Sequence, residues 1–78
     1  MMTHRYHINL FWSQPDGCWI ADVPDLPGCS AHGDTVESAA AEAQVAIDLW
    51  LESAQQHGDL VPEPRYRPAI YAARAIAA

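Results

Sequence analysis

Asp34-Thr35-Val36-Glu37-Ser38-Ala39-Ala40-Ala41-Glu42-Ala43-Gln44-Val45-Ala46-Ile47-Asp48-Leu49-Trp50-Leu51-Glu52-Ser53-Ala54 is the stretch whose reading decides the fold. Val36, Ala39, Ala40, Ala43, Ile47, Trp50, Leu51 and Ala54 recur at spacings of three and four, so they form one apolar stripe on an α-helix. Glu37, Glu42, Asp48 and Glu52 fall off that stripe. The alanines allow a close approach to whatever lies beneath, and Ile47, Trp50 and Leu51 fill the deeper end. Asp34 is the expected N-cap, with Glu37 three residues on as its capping-box partner. The helix should end at His57-Gly58, where glycine suits a left-handed residue and His57 sits at the negative end of the helix dipole.

The residues upstream change period. Tyr6, Ile8, Leu10 and Trp12 alternate with His7, Asn9 and Phe11, the period of two of a half-buried strand. Ser13-Gln14-Pro15-Asp16-Gly17 is turn chemistry, and Cys18 to Val23 alternates again, which completes a hairpin. Pro24-Asp25-Leu26-Pro27-Gly28 cannot be a ladder strand or a helix, because two of its residues lack the N–H. It is expected to be a rigid, mostly extended connection ending in a glycine turn. Cys29 to Gly33 is a candidate third strand.

The fold class is therefore α+β: a three-stranded antiparallel sheet with one long helix packed on one face. Beyond the helix, Leu60 to Pro68 holds Pro62, Pro64 and Pro68 and reads as a linker or extended edge segment. Ala69 to Ala78 is open between a short fourth strand, a short helix and a tail. The expected division is one α+β domain over residues 1–65 and a short C-terminal piece over 66–78.

The whole chain has 78 residues, one domain's worth, and a domain this small buries only roughly 60% of its unfolded surface. Half of the residues are hydrophobic, which excludes a disordered chain and leaves apolar surface for a homo-oligomer, a dimer or tetramer. Ten acids face four arginines and no lysine, for a formal charge of −6. Such a surface repels phosphates and attracts a basic partner. Cys18 and Cys29 form no CxxC pair, so zinc is not expected, and free thiols in a reducing cytoplasm are the default. No apolar run approaches the ~18 residues of a membrane span, and the first twelve residues have no signal-peptide core.

The residues offer little for catalysis. His4, His7, His32 and His57 match no HExxH spacing; His7 and His32 are the pair that strands might bring near one another, and solvated or hydrogen-bonded surface histidines are the plainer reading. A cysteine nucleophile would need a base and an oxyanion site, and burial explains Cys29 as well. Trp12 and Trp19 suit cross-strand packing and Trp50 the core, and the charge opposes a nucleic-acid stacking platform. Neither a cofactor nor a metal is expected, nor any catalytic residue.

The segment Gly17-Cys18-Trp19-Ile20-Ala21-Asp22-Val23-Pro24-Asp25-Leu26-Pro27-Gly28-Cys29, followed by Gly33-Asp34-Thr35-Val36-Glu37-Ser38-Ala39, resembles the HicB family of antitoxins and their stand-alone relatives. That family shows a strand, an acidic Pro-Asp-Leu-Pro-Gly-Cys segment and a Gly-Asp-Thr helix start. Gly58-Asp59-Leu60-Val61-Pro62-Glu63-Pro64 is similar to its proline-containing exit from the helix. The likeness spans about residues 6–65, without gaps.

The resemblance implies a partial, degenerate RNase H-like fold without its chemistry. An active site of that kind needs several carboxylates around metal ions, and Tyr6 to Trp12 contains no acid. It also implies a partner, a small basic HicA-type toxin that cleaves mRNA. After Pro64 only 14 residues remain, too few for the C-terminal DNA-binding domain common in the family, so direct nucleic-acid binding is not expected.

The expected function is that of an antitoxin in a type II toxin–antitoxin system, which docks on the toxin and neutralises it sterically. The alternative is an orphan HicB-like oligomeric adaptor or small-ligand scaffold without a toxin. Candidate contact residues are His7, Asn9 and Phe11 on the outer sheet side, Asp22 and Asp25 after them, and Val45, Asp48 and Leu49 beside the apolar helix stripe.

Overall fold

A computed structural model describes residues 5–65. The expectations for 66–78, the choice between strand, helix and tail included, lie outside the described residues. Strands β1 (Asn9–Ser13), β2 (Cys18–Asp22) and β3 (Ser30–Gly33) are followed by helix α1 (Val36–His57). The sheet is antiparallel in the order β1-β2-β3, and α1 covers one face of it, which is the expected α+β architecture.

The register sorts the side chains into two faces. Leu10, Ala21 and Ala31 lie in one row across the sheet, with Trp12, Trp19 and Gly33 in the next row of the same face. This face meets α1: Ala21 is fully buried against Ala39 and Ala43. Trp12 and Trp19 pack edge-to-face with centroids 5.7 Å apart, a favoured geometry for aromatic pairs. The helix lies over β3 and β2 much more than over β1. Leu10 and Trp12 therefore stay exposed although they point to the helix side.

Strand β1 begins at Asn9, later than the expected Tyr6. Its partner β2 ends at Asp22, where the Val23 amide turns to the Cys29 carbonyl (3.0 Å) and Pro24 has no N–H to give. Tyr6 and Ile8 still pack on the core from outside the ladder. The Tyr6 hydroxyl donates to the carbonyl oxygen of Pro62, which brings the segment after the helix back beside the start of the sheet.

Residues 24–28 differ from the extended connection read in the sequence. They coil through consecutive turns in which Leu26 N–H donates to Val23 O (3.1 Å) and Cys29 N–H to Leu26 O (3.0 Å). Gly28, at φ 76°, supplies the left-handed residue that lets the chain re-enter β3. The coil drives Leu26 into the core, where it is fully buried with Val23, Cys29 and Ile47.

The helix start also differs. Thr35, not Asp34, is the N-cap: its hydroxyl accepts the Ser38 amide (3.0 Å), and Ser38 Oγ accepts the Thr35 amide (3.0 Å). The capping box is thus Thr35 with Ser38, and Glu37 contributes only its charge in the first turn. Gly33 fixes this register, because β3 runs so close under the helix start that a Cβ there would sit 2.5 Å from the Ala39 nitrogen. At the other end Gly58 is left-handed at φ 70°, and Asp59 N–H returns to Ala54 O (2.8 Å), as the sequence predicts for a glycine stop.

Candidate protein-binding surfaces

The sheet face opposite α1 carries the first group of predicted contact residues. Phe11, Ile20 and His32 form one row across the three strands, and Asn9, Asp22 and Ser30 form the next. Phe11, on the edge strand β1, is 48% exposed, a large apolar side chain on a face that no described element covers. His7 Nε2 donates to Asn9 Oδ1 at 2.7 Å, which holds both side chains at the N-terminal end of β1. The fold thus gathers His7, Asn9, Phe11 and Asp22 on one side. Ile20 and His32 complete that surface; the sequence reading passed over both, although strand parity once the hairpin is drawn would have placed Ile20 beside Phe11.

His7 and His32 do not form a pair. His7 precedes β1, two residues beyond the Asn9 row, whereas His32 lies on β3 in the Phe11 row, with β2 between the two strands. Among the described residues no group of three His, Cys, Asp or Glu side chains is placed to hold a metal ion. Cys18 and Cys29 are both free, at opposite ends of β2's neighbourhood, and burial raises the Cys29 thiol pKa, with a smaller contribution from Asp22.

Asp25 stands apart from Asp22. Its Oδ2 accepts the Arg65 amide at 3.0 Å, so it braces the coil of residues 24–28 against the returning chain. The same junction raises the Tyr6 hydroxyl pKa, through burial first and then the charges of Asp25 and Glu63.

The second group lies on the helix, in the other layer. Val45 and Leu49 are 51% and 60% exposed, one turn apart, with Asp48 exposed beside them. Val45 and Leu49 form one wall of a groove of about 590 Å³ whose opposite wall is β3. Asp25 apart, the predicted residues therefore make two surfaces, which meet at the β3 edge, where His32 belongs to both the outer sheet row and the groove. No described helix is long and apolar enough to cross a membrane.

Among the described residues, the sheet row of Phe11, Ile20 and His32 and the groove between α1 and β3 are thus the two candidate surfaces of a small α+β domain. The model of the HicB-like antitoxins of bacterial toxin–antitoxin systems matches residues 6–74, and the chain belongs to that family. It is 43% identical over 47 residues to UPF0150 protein ssl0259 of Synechocystis, a match that covers 60% of this chain and 64% of that protein. Over 47 residues it is 36% identical to UPF0150 protein Ta0767 of Thermoplasma acidophilum, covering 60% of this chain and 68% of the relative. An uncharacterised 14.9 kDa protein in the rep-hol intergenic region of Haemophilus phage HP1 is 33% identical over 45 residues, 58% of this chain and 34% of the phage protein. The chain thus spans less than two thirds of the Synechocystis relative and about a third of the phage protein. No solved structure matches the chain.

Proposed function

We propose that this chain is the antitoxin of a type II toxin–antitoxin system and that it neutralises a small basic mRNA interferase of the HicA type by covering its RNA-contacting surface. Membership of the antitoxin family is the observation that carries the reading. The charge supports the choice of partner: ten acids against four arginines favour encounter with a basic protein and oppose encounter with RNA. Inhibition is then occlusion, which needs affinity and no chemistry in the antitoxin itself, and the pair would act in the cytoplasm.

The contact residues proposed are His7, Asn9, Phe11 and Asp22 on the sheet, Val45, Asp48 and Leu49 on the helix, and Asp25 in the coil. The proposal includes self-association into a dimer or tetramer. Its support is the small size of the core: of the eight buried hydrophobic residues described, Ala21, Ala39, Ala43 and Ala54 are alanine, and the largest fully buried side chains are Leu26, Ile47 and Val23. Co-expression with the small basic protein encoded beside it tests the reading. A stable complex at low and high salt is expected, with weaker retention at high salt as the charges are screened. Failure to copurify at either salt concentration refutes it.

A further inference from the structure

Strand β3 ends the sheet, so its outer side faces no other described strand. The bond from Val23 N–H to Cys29 O fixes how β3 is turned. In an antiparallel ladder alternate residues face the partner strand, so Ala31 and Gly33 direct their backbone groups toward β2. Ser30 and His32 then direct their N–H and C=O groups outward. This edge borders the groove whose helix wall is Val45 and Leu49 and whose floor is Ala31 and Ala46. Backbone donors and acceptors that no described strand pairs therefore lie next to a slot with an apolar helix wall, the arrangement that accepts an added strand with one of its side chains anchored.

Among the described residues, the charged ones that line the groove are Asp34 and Glu42. We propose that an extended basic segment of the toxin adds to the β3 edge. Its backbone bonds to Ser30 and His32, an apolar side chain packs on Val45 and Leu49, and a flanking arginine or lysine meets Asp34 and Glu42. The inference rests on the antitoxin reading. The charge favours this occupant over a second copy of the chain, because a second copy carries the same formal charge of −6 and would bring like charge to a groove whose described charged residues are acidic.

The test is calorimetric titration of the adjacent-gene HicA-type protein into the full chain and four variants, each checked for folding by circular dichroism. His32→Pro removes the outward N–H and leaves the bonds to β2 in place, since proline is tolerated on edge strands. His32→Ala removes the side chain and keeps that N–H. Leu49→Lys replaces an exposed apolar contact with a charge that repels a basic strand, and Phe11→Ser alters the outer sheet face instead.

The expected result is a loss of affinity of about tenfold or more in His32→Pro and Leu49→Lys, with His32→Ala within about threefold of wild type. Should His32→Pro fail to fold, Leu49→Lys decides alone, because its side chain is exposed. Loss in Phe11→Ser with normal binding by His32→Pro and Leu49→Lys overturns the groove and leaves the antitoxin reading standing. No complex with the wild type removes both. Self-association of the wild type that His32→Pro abolishes, with toxin binding unchanged, assigns the edge to a second copy and overturns the proposal.

Discussion

The indole N–H of Trp50 donates to the carbonyl oxygen of Pro27 at 2.9 Å, joining the second half of the helix to a coil 23 residues earlier in the chain. That bond, with Leu26 buried beside Ile47, turns the Pro-Asp-Leu-Pro-Gly motif from a connector into part of the core. Leu26→Ala is expected to cost about 2–5 kcal/mol, since it empties a fully buried leucine site. Trp50→Phe, which keeps most of the packing and loses one bond near solvent, should cost about 0.5–1.5 kcal/mol. Urea denaturation of the two variants checks the order; equal costs would mean that the coil does not depend on Leu26.

Gly33 makes the second dependence. A Cβ at this position would lie 2.3 Å from Ser38 Oγ and 2.5 Å from the Ala39 nitrogen, and the latter cannot move without the helix. Gly33→Ala should therefore lose at least about 1–3 kcal/mol, the cost of overpacking. Ser30→Ala, on the exposed side of the same strand, should stay within about 0.5 kcal/mol of wild type. Thermal melts of the two variants compare them directly.

The cap separates two neighbouring residues that look alike in the sequence. Thr35→Ala should cost about 1 kcal/mol through loss of the bond to the Ser38 amide. Asp34→Ala should cost less, because Asp34 only adds charge near the helix start. The reverse order in denaturation experiments would restore Asp34 as the cap.

Cys29 and Tyr6 predict a loss of stability in alkali. Burial raises both pKa values above their ordinary 9.0 and 10.0, so the fold favours the protonated forms. Their contribution is complete below those ordinary values and is lost as pH rises through the higher folded values. Urea midpoints should be flat from pH 7 to 8.5 and fall above pH 9 by the linkage expected for two groups. Thiol labelling at pH 8 should modify Cys18 well before Cys29, which is buried and becomes reactive only on unfolding.

Much of this was legible in the residues, and the exceptions share a cause. The helix was readable because its stripe repeats over many turns, and Ala39, Ala43, Ile47 and Ala54 are the residues it buries. The hairpin was readable from Asp16-Gly17 between two alternating runs. The Thr35 cap was not, because Asp34 and Thr35 are neighbouring residues that both suit a cap and only the close pass of β3 at Gly33 under the helix start decides between them; the coil around Leu26 was not, because it leans on Trp50, 23 residues from Pro27. Of the surface residues, Phe11, Val45 and Leu49 showed themselves as apolar positions off the core faces. Ile20 needed the hairpin register as well as the alternation, and the Ser30–His32 edge did not show itself, since strand order decides which strand is outermost and the sequence carries no local mark of that order.

The central claim is that the chain neutralises a basic mRNA-cleaving toxin by binding it, and the most direct measurement is a titration. Purified chain is added in steps to the proposed partner, a HicA-type protein, acting on a defined mRNA, and cleavage is followed. The account predicts suppression that is complete near stoichiometric addition and that weakens as salt is raised. Cleavage that continues unchanged in the presence of excess chain would contradict it.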